Sequence, residues 1–360
     1  MRVGIPREVK DGEFRVALTP AGAGSLECEV VVEPGAGEAA GFADEDYVAR
    51  GAKLGAAWEC ELVVKVKELQ EPEYRRLRRG QTLFGFQHFA PHPGLLDAAL
   101  ASGATFIAFE TVGQSGGSLP ILAPMSAIAG RLAVQAGAWC LQKQNGGSGV
   151  LLPGLEGVPA GRVVIVGAGN VGSNALAVAR GMGAEVRVFA RTGKRFPALR
   201  KRFPGVTFQT GRPIITEADL VIGAVLTPGE MSPQLVSRDM LRRMRRGSAL
   251  VDVGIDQGGI AETSRPTSHS DPVYIEEGVV HYCVPNMPAL VPRTSTEALT
   301  KATLPWIKMI STLGVEGALL KSVALRKSLT SYKGQLTNEA IGLALRIPFV
   351  EESKIAGLLS

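Results

Sequence analysis

Short apolar runs recur along the first third of the chain, at 2–6, 30–33, 61–66, 81–86 and 105–108. Stretches of helical length separate several of them, at 44–50, 72–77 and 94–102. Unbroken apolar runs of this length mark strands buried on both faces. The pattern therefore predicts a parallel sheet covered by helices on its two sides. A longer Ala-rich helix is predicted over 126–144, followed by the flexible loop Asn145-Gly-Gly-Ser-Gly149. A second α/β series then begins, with strand 162–166, helix 171–182 and strands 185–189, 219–224 and 249–253. Another long helix is predicted over 295–314, and the tail to about residue 345 reads as further helix and loop. No segment repeats another, and none is of low complexity.

The chain has 360 residues, which suggests two domains, each able to bury its own core. Aromatic residues are scarce at 6%, so that core must be built from Val, Leu, Ile and Ala. The net charge of +5 is not gathered into a basic tail or helix array, which argues against nucleic acid as a partner. The four cysteines form no Cys-x-x-Cys pair and the four histidines lack metal-ligand spacing, so reduced thiols and no metal are expected. Met-Arg followed by a strand is no signal peptide, and no apolar run approaches the ~20 residues of a membrane helix. A cytoplasmic protein without a membrane association is the expectation.

One segment carries specific chemistry. The strand at 162–166 runs into Gly167-Ala-Gly-Asn-Val-Gly172 and at once into a helix. Gly167 would make the tight turn, and Gly169 would let the backbone approach a pyrophosphate. Gly172 would let helix and strand pack closely, with Asn170 and Val171 at the helix start facing the phosphates. Strand before, helix after and a second strand at the right distance make this a specific dinucleotide signature. The end of that second strand selects the cofactor. An NAD enzyme usually carries a carboxylate there for the ribose 2′-hydroxyl. Here the strand ends in Ala190-Arg191, with Lys194 and Arg195 close behind. A missing anion and a supplied guanidinium suit a 2′-phosphate, so NADP(H) is preferred and NAD(H) remains possible. A solvated helix start is the structural alternative for these cations.

Further segments combine across almost the whole chain. They are Gly4-Ile-Pro-Arg-Glu, Arg15-Val-Ala-Leu-Thr-Pro, Lys65-Val-Lys67-Glu, Leu122-Ala-Pro-Met-Ser126 and Asp219-Leu-Val-Ile-Gly-Ala-Val225. After these come Val253-Gly-Ile-Asp256-Gln-Gly-Gly, Glu262-Thr-Ser-Arg-Pro-Thr, His281-Tyr-Cys-Val-Pro-Asn286-Met-Pro and Val291-Pro-Arg-Thr-Ser-Thr296. With these motifs the sequence resembles the alanine dehydrogenase / transhydrogenase N-terminal superfamily, and most of all the alanine dehydrogenases. The resemblance implies an α/β fold of two domains. A Rossmann dinucleotide-binding domain at 126–296 would be inserted in a discontinuous flavodoxin-like/Rossmann-like substrate (catalytic) domain at 1–125 and 297–360. Two long helices would connect them, the active site would lie in the cleft between them, and the protein would be a homo-oligomer.

The resemblance also implies roles. Arg15 clamps the substrate carboxylate, and Lys67 holds the carboxylate or the 2-oxo group. His88 is the general acid/base, and Asp256 lies beside the nicotinamide to meet the amine or orient water. Ser126, Val225, Asn286 and Met287 lie near the cofactor. The chemistry agrees: a 2-oxo acid needs a fork of donors for its carboxylate, a cation beside its carbonyl and an imidazole that titrates near the working pH. Taken singly, the four also fit a loop charge, a strand-end lysine, a satisfied core histidine and a turn former. Their joint presence, each within its motif, argues against a catalytically silent dinucleotide-binding protein.

The implied reaction is reversible reductive amination of a small 2-oxo acid with ammonia, with hydride transfer and no metal. Some positions depart from the family pattern. Ala127 stands where Glu is usual, Gln87 and Phe89 replace apolar residues flanking His88, and Glu297 and Lys301 replace an apolar residue and Asn. The first helix is also short, with Ala21 to Cys28 leading almost directly into a strand. These changes keep a second reading open: an NADPH-dependent imine reductase acting on another 2-oxo acid or on an amino-acid imine, like the carboxyethyl-amino-acid synthases.

Overall fold

The apolar runs form strands, and the spaces between them form helices, in a computed structural model that describes residues 1–89, 91–114, 116–225 and 231–359. The strands are β1 (Val3–Ile5), β2 (Val30–Val32), β3 (Lys53–Leu54), β4 (Leu62–Val64), β5 (Thr82–Gly85), β6 (Thr105–Ala108), β7 (Arg162–Val166) and β8 (Glu185–Ala190). They continue as β9 (Thr207–Thr210), β10 (Leu220–Gly223), β11 (Ala249–Asp252), β12 (Val273–Glu276), β13 (Val279–Tyr282), β14 (Leu329–Tyr332) and β15 (Gln335–Leu336). The α-helices are α1 (Pro20–Ala23), α2 (Asp44–Val48), α3 (Pro93–Ser102), α4 (Leu122–Cys140), α5 (Asn170–Gly181) and α6 (Phe196–Arg202). After them come α7 (Arg238–Arg242), α8 (Pro292–Lys321), α9 (Val323–Lys327), α10 (Glu339–Leu345) and α11 (Glu352–Leu359).

The chain divides into two units. The first joins Met1–Met125 to Ala289–Ser360, and the second is Ser126–Pro288. The sheet of the first unit has the order β15-β14-β6-β5-β4-β1-β2-β3. Its strands pair in parallel except β14, which runs antiparallel to both β6 and β15. The sheet of the second has the order β12-β13-β11-β10-β7-β8-β9, parallel except for the β12–β13 pair. In both sheets the chain builds outward through three strands, then returns to the other side of its first strand. The first and fourth strands therefore lie side by side, β1 with β4 and β7 with β10. Such a reversal leaves a crevice at the carboxyl ends of the two strands, the favoured ligand position in open α/β sheets.

Helix α3 shows how local sequence serves the first core. Pro93 starts it in the first turn, and Gly103 closes it in the left-handed conformation. Leu95, Leu96 and Ala99 form its buried face, packed with Val63, Leu83 and Phe106. Full burial of each leucine contributes about 1.5–3 kcal/mol. The core of the second unit is Val164, Val166, Phe189, Val221 and Leu250, joined by Ile260 and Val279.

Several elements differ from expectation. The segment at 72–77 is a tight 3-10 turn, Glu71–Arg76, with Pro72 in its first turn, and not an α-helix. Helix α4 starts at Leu122 and ends at Cys140, while α8 is longer than the predicted 295–314 and breaks at Gly314 (φ 72°). The tail holds two strands, β14 and β15, as well as helix and loop. In β14 Thr330 and Ser331 are buried between strands, so the apolar run that betrays other strands is missing. Within the first unit, α8 also fastens the loop after β1. Val16 N–H donates to Thr296 Oγ1 at 3.2 Å and Thr19 N–H to Thr300 Oγ1 at 2.9 Å.

Candidate active site residues in two units

In the first unit, polar side chains gather on the loops that follow β1, β4, β5 and β6, four neighbouring strands. The loop after β4 supplies Lys65, Lys67 and Glu68. Lys65 is fully buried, with its ammonium 2.7 Å from Glu8 Oε2 and 3.3 Å from Glu73 Oε1, so these two carboxylates hold it charged against the cost of burial. Glu8 Oε1 also accepts from Val66 N–H at 2.7 Å, which ties the loop after β1 to the loop after β4.

Glu68 is the hub of the cluster. Its carboxylate is buried, yet four cationic or ionisable groups meet it. Lys67 Nζ lies 3.5 Å and His88 Nδ1 3.1 Å from Oε2. Lys10 Nζ is bonded to Oε1, and His92 Nε2 lies 3.9 Å from that same oxygen. Burial alone would raise the carboxyl's pKa. The hydrogen bond from His88 and the nearby charges of Lys67 and Lys10 outweigh burial and hold it well below the usual carboxylate range. An ionised carboxylate only accepts hydrogen bonds, so Nδ1 of His88 carries the proton of that bond. Nε2 is then the ring's remaining acceptor. His92 carries the opposite bias: burial, with Lys10, His88 and Lys67 nearby, outweighs Glu68 and pushes its pKa down.

His88 is placed by its backbone as much as by its ring. Its φ is 45°, uncommon for a residue with a side chain. The Glu110 carboxylate, just beyond β6, accepts from His88 N–H at 2.9 Å and from Gln87 N–H at 3.2 Å, and so stabilises this conformation. The imidazole lies over Phe86, with ring centroids 5.9 Å apart, and keeps 40% of its side chain exposed. Arg15 sits in the loop after β1, buried, and forms a fork with Glu13. Thus Lys67 and His88 share one oxygen of Glu68. The loop bearing Arg15 reaches that same carboxylate through Lys10, while Arg15 itself contacts Glu13 and Met125.

In the second unit the glycine turn joins β7 to α5. Gly167 has φ 120°, and a Cβ there would fall 2.3 Å from Ala224 O at the end of β10. A Cβ on Gly172 would fall 1.9 Å from Gly167 O, so helix and turn close with no room for a side chain. At Gly169 a Cβ would meet nothing within 4 Å, which leaves the front of the turn open. No side chain caps α5 at Gly169, and its first turn, Asn170 and Val171 included, holds no acidic residue. The helix amides and the positive end of its dipole are therefore directed at an anion site, and the cradle fits a dinucleotide pyrophosphate. Strand β8 ends at Ala190. Arg191 and Lys194 are exposed and form no salt bridge among the described residues, whereas Arg195 Nη1 lies 3.5 Å from Asn170 Oδ1 at the start of α5.

The remaining predicted residues of this unit lie at strand or helix ends. Ser126 is half-buried on α4, and Val225 follows β10. Asp256 is exposed in the short turn Ile255–Gln257 after β11. Asn286 has φ 58° and precedes the buried Met287. The loop around Asp256 is shaped by Asp252. This buried carboxylate accepts from Gly254 N–H at 3.2 Å, Ile260 N–H at 2.7 Å and Ser264 Oγ at 2.6 Å. His281, prominent in the sequence, bonds Thr263 Oγ1 at 2.7 Å and stacks on Tyr274, a structural role. Sequence reasoning passed over Glu13, Glu68, Glu110 and Asp252. Glu68 alone had a local signal, as a carboxylate directly after Lys67.

A sheet with an uncapped glycine turn at its reversal, and a second sheet with cations and an imidazole at its own, define a two-domain nicotinamide-dinucleotide oxidoreductase. Comparison with known proteins narrows this class. The chain matches the family profiles Alanine dehydrogenase/PNT, N-terminal domain, over residues 4–129, and Alanine dehydrogenase/PNT, C-terminal domain, over 133–339. It is 47% identical to the alanine dehydrogenase of Halomonas elongata, over 99% of this chain and 100% of that protein. A solved L-alanine dehydrogenase is 44% identical and superposes with a TM-score of 0.93, covering 96% of this chain and 99% of the other. The fold is shared more distantly with a transhydrogenase from Sinorhizobium meliloti, 23% identical, with a TM-score of 0.81 over 94% of this chain and 100% of that one. The chain belongs to the alanine dehydrogenase/PNT family and is an oxidoreductase of that family. Among the described residues, no helix is long and apolar enough to cross a membrane.

Proposed function

We propose that this chain is an amino-acid dehydrogenase. It interconverts a small amino acid with its 2-oxo acid and ammonia, acts on a CH–NH2 bond, and prefers NADP(H) to NAD(H). The relatives named alanine dehydrogenase support alanine and pyruvate as the substrate pair. The observation that carries the reaction class is the buried Glu68 carboxylate, which holds Lys67 and His88 on one oxygen.

In this reading the first unit is the substrate unit and the second the dinucleotide unit. Arg15 binds the substrate carboxylate. Lys67 places its ammonium beside the C2 oxygen, where it favours the polarised carbonyl and the developing alkoxide. During amination, His88 Nε2 gives its proton to the departing hydroxyl of the carbinolamine. In the reverse direction, it takes a proton from the water that adds to the imine carbon. Asp256 meets the amine or orients that water. The dinucleotide supplies or accepts the hydride at C2 when bound. Gly167 to Gly172 cradle its pyrophosphate, and Ser126, Val225, Asn286 and Met287 lie near it.

The NADP(H) preference rests on β8 ending without a carboxylate and on the exposed Arg191 and Lys194 just beyond it, which form no salt bridge among the described residues. A second reading, imine reduction with an amino acid in place of ammonia or with another 2-oxo acid, draws on one observation. Gln87 Oε1, beside His88, is buried without a hydrogen-bond partner among the described residues, an acceptor suited to a donor on a larger substrate. A cytoplasmic homo-oligomer stays with the proposal, and the free cysteines, three of them buried, fit a reducing compartment.

Steady-state kinetics test both readings. Turnover of pyruvate with ammonia is expected, with kcat/KM for NADPH about tenfold or more above that for NADH, the worth of one charge-assisted phosphate contact. Negligible turnover with pyruvate and ammonia would sink the first reading. Turnover with another 2-oxo acid or an amino-acid imine would establish the second.

A further inference from the structure

Arg15 is gripped by a carboxylate of its own loop. Glu13, two residues earlier in the same loop, accepts from Arg15 Nε at 2.6 Å with Oε1 and from Nη2 at 2.6 Å with Oε2. Glu13 Oε1 also accepts from the Arg15 backbone N–H at 3.0 Å. The two side chains are 0% and 2% exposed, and Met125 Sδ lies 3.2 Å from Nη1. A two-point fork of this kind fixes the plane of a guanidinium, and burial removes the water that would otherwise let it swing.

We propose that Glu13 is a positioning residue for the reaction: it holds the plane of Arg15 so that the guanidinium meets the substrate carboxylate in one orientation. The proposal rests on the reading of Arg15 as the carboxylate clamp. A negative charge beside that clamp repels an anionic substrate and so works against affinity. Its presence is explained when the gain lies in geometry, since a reacting carbon displaced by a fraction of an ångström loses its alignment. Charge neutralisation and positioning therefore predict opposite signs when the charge is removed. If Glu13 merely cancelled the charge of Arg15, its loss would tighten carboxylate binding. If Glu13 positions Arg15, its loss loosens binding, because an amide in its place turns N–H groups toward the guanidinium N–H groups and breaks the fork.

Kinetics of Glu13→Gln read that sign. The KM for the 2-oxo acid and the inhibition constant of propionate, a bare carboxylate probe, are expected to rise about tenfold or more, with a smaller fall in kcat. The KM for the dinucleotide should stay within about twofold, which also reports that the variant is folded. Glu13→Asp keeps the charge but sets the fork back by one methylene, so an intermediate rise is expected. Unchanged or lower values for the 2-oxo acid and propionate in Glu13→Gln would overturn the proposal. Should that variant fail to fold, an unchanged KM in Glu13→Asp would overturn it equally. Arg15→Lys separates the two levels. If it leaves the 2-oxo acid KM unaltered, the clamp reading itself fails. If it raises that KM while Glu13→Gln does not, the positioning role alone fails.

Discussion

The two sheets share one connection pattern and put opposite chemistry at the same place. Each reverses beside its first strand, β1 in one and β7 in the other. After β7 the chain strips side chains away, with Gly167, Gly169 and Gly172 in six residues, and recognition falls to backbone amides. After β1 and β4 it crowds charge together: Glu8, Lys10, Glu13, Arg15, Lys65, Lys67 and Glu68 lie on two loops. The difference fits a division of labour in which strand order offers the same place in each sheet and the loops set its chemistry. It also sets how each site fails. A backbone site fails by steric intrusion, and a charge cluster by an uncompensated partner.

The largest effect is expected at the backbone site. Gly172→Ala places a methyl 1.9 Å from Gly167 O, and neither backbone can yield. Loss of dinucleotide binding, read by fluorescence titration, and destabilisation of about 3 kcal/mol are expected. Normal binding would refute the close-packing account of this turn.

The charge cluster comes next. His88→Ala should lower kcat by about 10²–10⁴, the range of general acid–base catalysis, with the fold intact. Retained turnover would remove His88 from the mechanism. Glu68→Gln should cost less activity but leave a pH-dependent mark on stability. The folded-state pKa of Glu68 lies below its unfolded value, so its stabilisation is complete above the unfolded carboxylate pKa of about 4.3 and is lost as pH falls below that. The melting-temperature gap between wild type and Glu68→Gln should thus be widest near neutrality and narrow in acid. A gap that ignores pH would contradict the assignment of Glu68 as an ionised hub. The smallest effect is Arg191→Ala, expected to raise the KM for NADPH by about tenfold and leave that for NADH nearly unchanged. Equal changes in both would argue against a 2′-phosphate contact.

The same contrast explains what was legible in the sequence. The glycine turn was readable because its constraint is local: a positive φ or a forbidden Cβ dictates Gly at fixed spacing. The strands with apolar runs, β4, β5, β6, β7 and β10 among them, were readable for a similar reason. Glu110 was not, since it acts on amides 22 and 23 residues away and nothing near it in sequence marks it. Glu68 stood in plain view after Lys67, but its meaning depends on His88, 20 residues on. Strand β14 was missed because Thr330 and Ser331 fill buried positions, and β9, with three of its four residues exposed, offers no apolar run at all. Patterns report burial well where apolar side chains do the burying, and poorly where backbone pairing or ion pairs do.

The threonines of α8 carry a consequence for how the molecule comes into being. Thr296 and Thr300 fasten the loop that holds Arg15, and β14 pairs with β6, yet all of these later residues are translated after the whole second unit. As the chain leaves the ribosome, residues 126–288 form one continuous segment that holds every strand of the second sheet. The first 125 residues wait with the β14 side of β6 unpaired and the loop of Arg15 unfastened. The inserted unit can thus be finished before the unit that surrounds it. Final closure of the first unit depends on contacts more than two hundred residues apart, the slow, non-local kind.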